Sequence, residues 1–174
     1  MHHKNKIQIS TALIDDIEAI QSVGRSAWWD TYAEFRSEEY ILFALETWWS
    51  KDYLKKAIES DGNTILVAKE QRQIVGVLES QVLNQQSAII WKLYVPREHR
   101  RKGIGKLLID ECIKRFPSGT EVCYTEYDSQ NENAASFYGS QGFIFDKTEQ
   151  GNFRGEAIVS IYVKRYLTGV EIGE

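Results

Sequence analysis

The junction between an apolar strand and a basic turn, in residues 87–116, constrains the fold of this chain most. The run SAIIWKLYV (87–95) is β-branched, aromatic and almost continuously apolar, which is typical of a central strand covered on both faces. It ends at Pro96, which cannot donate a ladder hydrogen bond. From Gly103 to Phe116, apolar residues recur at steps of three and four, so we expect an amphipathic helix after the turn.

A second strand follows this helix. The run TEVCYTEY (120–127) is rich in β-branched and aromatic residues, as strands are. A strand, a helix and a strand of this total length should form a right-handed crossover with the two strands parallel. The sheet is therefore expected to mix parallel and antiparallel pairs.

The remaining segments complete an α+β pattern. Apolar residues from Ile14 to Val23 recur at three-residue steps and mark a first helix, while Ser37 and Ser50 are suitable N-caps for helical segments after it. Further strands are predicted at 6–10, 64–69, 73–83, 143–148 and 156–166, and a further helix near Asn131. We expect a mixed, mostly antiparallel central sheet of about seven strands flanked by about four helices.

Length and composition indicate one soluble domain. The chain has 174 residues, enough for one full core but short for two, and no linker-like stretch divides it. We therefore interpret residues 1–174 as a single domain with a flexible tail at 168–174. No apolar run approaches the roughly 18 residues of a membrane span, and the N-terminus lacks the apolar region of a secretory signal. Cys112 and Cys123 lie inside periodic segments, so a cytoplasmic location is expected.

The charge distribution points to a small anionic ligand. The net charge of −4 argues against nucleic-acid binding, which needs a basic footprint. Five Lys or Arg residues and a single Glu nevertheless lie between Arg97 and Lys106. A local basic patch suits a small phosphorylated ligand better than a polymer, although a solvated charged turn is the alternative interpretation.

The basic turn lies directly before a predicted helix, which makes it a candidate phosphate-binding site. The first amides of a helix lack acceptors within the helix, and the helix dipole places positive charge there, so the site accepts phosphate. Gly103 and Gly105 remove Cβ atoms where backbone and ligand would approach closely. A Walker loop is excluded because Leu107 follows Lys106, and a Rossmann fingerprint because Leu108 stands where its third glycine belongs.

Two segments resemble the GNAT superfamily of N-acetyltransferases. YVPREHRRKGIGKLLID is similar to its motif A, and the signature [QR]xxGx[GA] is matched by Arg100, Gly103 and Gly105. NENAASFYGSQGF is similar to its NxxAxxxYxxxGF segment, which is matched by Asn131, Ala134, Tyr138, Gly142 and Phe143. The order, the spacing and the predicted elements agree with that family over nearly the whole chain.

The resemblance implies acetyl-CoA as cosubstrate and no metal. In the family, the strand before motif A splays from its parallel neighbour and pairs with the pantetheine amides, here through Leu93, Tyr94 and Val95. The pyrophosphate would lie on the turn, with Arg100 supporting its charge. The backbone contacts would come from Arg101, Lys102, Gly103, Ile104, Gly105 and Lys106. Asn131 would contact the pantetheine arm.

The same resemblance implies direct transfer of the acetyl group to a primary amine. Tyr138 would lie near the sulfur as general acid, since a phenol with a pKa of about 10 is protonated at neutral pH. A main-chain amide near Val95 would polarise the thioester carbonyl. Many family members carry a glutamate early in the splayed strand, but Ile89 or Ile90 stands at that place here.

The general base is therefore open between three alternatives. Glu79 interrupts an apolar run, and Glu126 shares one strand face with Tyr124 by the two-residue period. A carboxylate on a half-buried strand can gain a raised pKa and act as a base, or it can lie on the solvated face. Deprotonation relayed by water, without a single dedicated residue, is the third alternative.

The resemblance implies that the amine acceptor lies between the first helices and the later loops. The candidate substrate-binding residues there are Trp28, Trp29, Tyr32 and Tyr124, with core packing as the alternative role for the aromatic ones. Interleaved acidic residues would attract a cation, and aromatic faces would bind it. We expect a small cationic amine, polyamine-like or an amino sugar, or a peptide or protein amine. A homodimer is common in the family, and a catalytically silent acyl-CoA sensor is the alternative function.

Overall fold

The computed structural model describes residues 6–167, which form a mixed seven-stranded sheet with helices on both faces. The predicted flexible tail at 168–174 lies outside the described residues. The strands, in their order across the sheet, are β1 (Ile7–Thr11), β2 (Asn63–Glu70), β3 (Gln73–Val82), β4 (Ser87–Tyr94), β5 (Val122–Asp128), β7 (Glu156–Tyr166) and β6 (Ile144–Phe153). Among the described strands only β4 and β5 pair in parallel, which confirms the predicted mixed sheet and its parallel pair.

Five α-helices lie in the described part of the chain, in agreement with the predicted number of about four and with the five segments that carried helix signals. They are α1 (Ile17–Tyr32), α2 (Glu38–Trp48), α3 (Lys51–Glu59), α4 (Ile104–Arg115) and α5 (Glu132–Ser140), with short 3-10 turns at Ile14–Asp16 and Arg97–His99. Ser37 and Ser50 cap α2 and α3 by accepting hydrogen bonds from the Tyr40 and Tyr53 amides, at 3.2 and 3.1 Å. The second cap starts a new helix directly after α2, as the sequence predicted.

The two faces of the sheet carry different cores. We call the side covered by α1, α2 and α3 the α1 face, where Trp28, Tyr32 and Trp49 pack on the sheet. The side covered by α4 and α5 is the α4 face, and it is mainly aliphatic. Cys112 of α4 and Cys123 of β5 are both buried there as unpaired thiols. Burial raises the pKa of the Cys112 thiol to about 11 and raises that of Cys123 further.

The last hairpin is longer than the sequence pattern indicated. β6 was expected at 143–148 but continues to Phe153, where it pairs with Glu156 of β7. Arg154 and Gly155 form the two-residue turn, with φ angles of 50° and 95°. Two left-handed residues are what a tight hairpin turn needs. The strand was underestimated because its second half, EQGN, is polar and solvent-exposed.

Candidate active site

A gap opens in the sheet between β4 and β5. The two strands pair only from Ser87 with Val122 to Ile90 with Thr125. Beyond that point β4 stays paired with β3 up to Tyr94, and β5 stays paired with β7 up to Asp128. The facing edges of the two strands therefore carry backbone groups without a strand partner. Such groups can pair with an extended ligand as if it were an added strand.

The basic turn closes one end of this gap. Arg101 and Gly103 have left-handed φ angles of 60° and 78°, and α4 begins at Ile104 with no side chain capping its first amides. Left-handed residues in such a turn direct successive N–H groups to one side and form a concavity that binds anions. The first turn of α4 also holds no acidic residue among those described. A phosphate group therefore fits this place.

Not every residue of the turn faces outward. Arg100 donates from Nε to the Val95 carbonyl at 2.8 Å, and its Nη2 lies 3.5 Å from the Thr31 hydroxyl, so this side chain fastens the turn to β4 and α1. Gly105 also has a packing role, because an added Cβ would lie 2.9 Å from the Phe137 ring of α5. Four cations of the turn are exposed, namely Arg97, Arg101, Lys102 and Lys106, and the last of these is paired with Asp110.

Tyr138 of α5 lies at the head of the gap, on the α4 face. Its side chain is buried, and this burial raises the pKa of the phenol to about 12, with a hydrogen bond to Thr125 opposing the shift. The Thr125 hydroxyl in turn donates to the Ile90 carbonyl at 3.0 Å. Ile90 and Thr125 are the last paired residues of the two strands. A protonated phenol is thus held where the gap begins.

Asn131 lies at the other end of the same helix. Its Oδ1 accepts a hydrogen bond from the Ala134 amide at 3.1 Å and caps α5. The side-chain NH2 group takes no part in this cap and keeps both of its donors for other partners. Asn131 and Tyr138 are therefore fixed relative to each other by one short helix.

Glu126 lies next to Thr125 on β5, and its side chain points to the opposite, α1 face of the sheet. It is half-buried and lies across from Tyr162 of β7. Burial raises the pKa of the Tyr162 phenol, and the neighbouring Glu126 carboxylate adds to this shift. Within residues 6–167, no ion pair involving Glu126 is found. Glu126 is therefore bonded to the Tyr162 hydroxyl rather than to a cation among the described residues.

Glu79 is in a different state. Its side chain is 2% exposed and forms an ion pair with Lys92 of β4. The same carboxylate accepts hydrogen bonds from the Tyr53 hydroxyl at 2.9 Å and from Asn63 at 3.2 Å. Burial lowers the pKa of Lys92, and Glu79 opposes that shift. Both oxygens of Glu79 are thus committed to structure.

The predicted aromatic substrate-binding residues lie on the α1 face, but mostly as core. Trp28 and Tyr32 are buried, and the Tyr32 and Tyr94 hydroxyls are 3.3 Å apart. Trp29 and Tyr124 are half-buried. Tyr94 belongs to the splayed part of β4, so this cluster forms the wall of the gap on the α1 face. Trp28 and Tyr32 are buried because aromatic side chains carry a large apolar area.

A buried ionic cluster beside the gap had no signal in the sequence. Arg36 follows α1, and its Nε and Nη2 both lie 2.6 Å from Oδ2 of Asp128, the last residue of β5. Its Nη1 donates to the Ala157 carbonyl at 2.8 Å and lies 3.3 Å from Glu156 Oε1. Asp128 shares the strand face of Glu126 and Tyr124, and only the alternation of β5 could have drawn attention to it.

Two further properties of the described residues bear on the chemistry. Residues 6–167 contain no group of three His, Cys, Asp or Glu side chains placed to hold a metal ion. None of the helices in that range is both long and apolar enough to cross a membrane.

Comparisons with known proteins agree with this geometry. The family described as acetyltransferase (GNAT) domain matches residues 32–160. The spermidine N(1)-acetyltransferase of Thermoplasma acidophilum is 30% identical over 152 residues, which cover 84% of this chain and 94% of that protein.

Solved structures of similar fold include an N-acetyltransferase. The PaiA N-acetyltransferase from Thermoplasma acidophilum, in complex with coenzyme A, superposes with a TM-score of 0.76 at 29% identity, over 92% of this chain and 99% of that one. The protein smu.2055 from Streptococcus mutans UA159 superposes with a TM-score of 0.74 at 25% identity, again over 92% and 99% of the two chains.

Proposed function

Because the chain belongs to the GNAT family of acetyltransferases, we propose that it transfers the acetyl group of acetyl-CoA directly to a primary amine. The observation that carries this proposal is the gap between β4 and β5, which has the uncapped amides of α4 at one end and the Tyr138 phenol at its head. Each feature matches one part of an extended ligand: the strand edges match its amide groups, the α4 amides its pyrophosphate, and the Tyr138 phenol its thioester.

The chain's own residues would bind this cosubstrate mainly through backbone groups. Leu93, Tyr94 and Val95 would pair with its amides along the free edge of β4. The amides from Arg101 to Lys106 would bind the pyrophosphate, with Arg101 and Lys102 as counter-charges. Arg100 would act indirectly, since its guanidinium holds the turn against Val95. Asn131 would donate to the pantetheine arm.

Tyr138 would act as the general acid. The cosubstrate supplies an acetyl group activated as a thioester. As the amine nitrogen bonds to the carbonyl carbon and the carbon–sulfur bond breaks, the phenol would donate its proton to the departing sulfur. A main-chain amide near Val95 would hold the carbonyl oxygen as negative charge develops there. A phenol with its pKa raised to about 12 stays protonated until this step.

For the base we favour Glu126 over Glu79, acting directly or through water. Glu126 is half-buried at the gap, on the face opposite Tyr138, so it can receive the amine proton while Tyr138 gives one to sulfur. Glu79 is occupied by Lys92 and Tyr53 and would have to break a buried ion pair to accept a proton.

We expect the acceptor to be a small cationic amine. The relative from Thermoplasma acidophilum is named for spermidine, and here a carboxylate and an aromatic wall line the same face of the gap. An ammonium group is attracted by both features. Amino sugars and peptide amines are the competing acceptor classes.

The experiment is thiol release from acetyl-CoA across a panel of diamines, polyamines, amino sugars and short peptides, with mass spectrometry of the products. We expect the highest kcat/KM for a diamine or polyamine. If only peptides are acetylated, the acceptor is a peptide amine and the proposed small cationic amine is wrong. If acetyl-CoA binds but no amine is acetylated, the chain is an acyl-CoA sensor and the proposed activity is wrong.

A further inference from the structure

The Arg36–Asp128 cluster connects the segment between α1 and α2 with the loop that leads into α5. On one side, Arg36 belongs to the segment between α1 and α2, and the neighbouring Ser37 donates to Glu156 Oε2 at 2.6 Å. On the other side, Asp128 Oδ1 accepts a hydrogen bond from the Gln130 amide at 3.0 Å, and its main-chain carbonyl accepts one from Asn131 at 2.8 Å. A single carboxylate therefore connects Arg36 to the start of α5.

We propose that Arg36 is a positioning residue for acetyl transfer. Through Asp128 it sets the start of α5, and with it Asn131 and Tyr138, relative to the wall that holds the amine. This inference rests on the proposed function, because it assigns Tyr138 to the reacting sulfur and the α1 face to the amine.

The chemistry of the cluster suits such a role. All three guanidinium nitrogens of Arg36 have partners, and the side chain is 2% exposed, so these contacts hold it in the observed orientation. The planar guanidinium fixes two directions at once, toward Asp128 and toward the Ala157 carbonyl, which an ammonium group cannot do. The loop between β5 and α5 is also bonded to β7, where the Ser129 amide donates to the Val159 carbonyl at 2.8 Å. That bond does not involve the segment between α1 and α2, so it cannot replace the link through Arg36.

A small displacement of α5 would be costly for the reaction. A misplacement of about 1 Å far from the reacting atoms can lower a rate about 100-fold, because the reacting groups leave their near-attack geometry. Binding of the cosubstrate would depend mostly on the β4 edge and the α4 turn, to which Arg36 makes no described hydrogen bond, and only in part on Asn131. Loss of Arg36 should therefore lower kcat much more than it raises the KM for acetyl-CoA.

The variants are Arg36→Lys, Arg36→Met, Asp128→Asn and the double variant Arg36→Met/Asp128→Asn. The control is Arg154→Gln, which removes an exposed ion pair with Glu39 between the same hairpin and α2. We expect Arg36→Lys to lower kcat about tenfold or more, with the KM for acetyl-CoA within about twofold, and Arg154→Gln to leave both within about twofold. The double variant should be no slower than the slower single variant, because each substitution already removes the same Arg36–Asp128 contact.

A further variant, Arg36→Ala, allows chemical rescue: added methylguanidinium should restore part of its kcat. If Arg36 only stabilised the fold, methylguanidinium would not change the kcat of enzyme that is already folded. Hydrogen exchange of residues 129–133 gives a readout independent of turnover, and it should become faster in Arg36→Lys. The inference is overturned if folded Arg36→Lys and Asp128→Asn keep the kcat of Arg154→Gln. It is also overturned if the single effects on kcat add in the double variant. If the wild type acetylates no amine, the proposed function fails, whereas unchanged exchange in 129–133 overturns the positioning role alone.

Discussion

The two faces of the sheet are held together in different ways. On the α4 face, short stretches of consecutive sequence build the structure: a turn, an uncapped helix start and a helix with its own cap at Asn131. On the α1 face, ion pairs and aromatic rings connect residues far apart in the chain, such as Arg36 and Asp128 or Glu79 and Lys92. The first kind of organisation leaves a motif in the sequence and the second does not.

The largest expected effect tests the α4 face. Tyr138→Phe should lower kcat by about 100-fold or more with little change in the KM for acetyl-CoA, since general acid catalysis typically contributes 10²–10⁴-fold. Steady-state kinetics of thiol release measures both constants. Tyr127→Phe is the control, because its ring stacks on Tyr138 with centroids 6.1 Å apart but carries no assigned role. Equal losses in the two variants would contradict the general acid assignment.

The pH dependence sharpens the same assignment. A phenol with a pKa of about 12 keeps its proton throughout the range from pH 7 to 10. We therefore expect kcat of the wild type to show no fall on the alkaline side within that range. A loss of kcat with a midpoint near pH 9 would show that some other group donates the proton.

On the α1 face, Glu79→Gln should lower the free energy of unfolding by about 3 kcal/mol, because it leaves Lys92 buried without a counter-ion. Since burial depresses the pKa of Lys92 in the folded state, the unfolded chain binds more protons, and the deficit should shrink as pH rises toward the ordinary lysine pKa of 10.5. Urea unfolding at several pH values measures this. The control is Glu149→Gln, which breaks an exposed pair with Lys147 and should leave the urea midpoint nearly unchanged.

Alanine substitutions at two helical glycines, one on each face of the sheet, compare how tightly the two faces are packed. A Cβ at Gly24 of α1 would lie 2.2 Å from the Trp49 ring, so Gly24→Ala should destabilise the fold by about 2 kcal/mol. A Cβ at Gly139 of α5 meets no described atom within 4 Å, so Gly139→Ala should stabilise it by up to about 1 kcal/mol. Thermal unfolding measures both, and equal signs for the two variants would contradict the packing argument.

The smallest expected effect concerns the exposed cations. Lys102→Glu should raise the KM for acetyl-CoA about fivefold at low salt and less at high salt, since an exposed charge beside the pyrophosphate is screened. Its control is Lys114→Glu near the other end of α4, where the side chain is 74% exposed. An equal rise of the KM for the amine would argue against a phosphate-binding turn.

The local elements were predictable because each has a pattern of its own. The strand at 87–94, the helix after Gly103 and the caps at Ser37 and Ser50 follow from periodicity and residue type, and the structure has them. The parallel pairing of β4 and β5 followed from the length of the crossover. The roles of Tyr138, Asn131 and the turn came from resemblance, and they remain predictions with a matching geometry.

What could not be predicted depends on distant partners. No pattern shows that Arg36 meets a residue 92 positions away, or that Glu79 faces Lys92 across two strands. A β-bulge between Glu79 and Ser80 decides the latter, because it leaves Trp91 outside the register and turns Lys92 to the α1 face. For Trp28 and Tyr32 the sequence left open whether they line the pocket or belong to the core, and the structure buries both.

The two buried thiols make the chain well suited to its own assay. A disulfide reagent reacts with thiolate, and Cys112 and Cys123 are both buried with raised pKa values, so the folded chain should consume almost none of it. Colour developed during turnover then counts released coenzyme thiol alone. Once the chain unfolds, two additional thiols per molecule should react, so one cuvette can report both catalysis and loss of the native state.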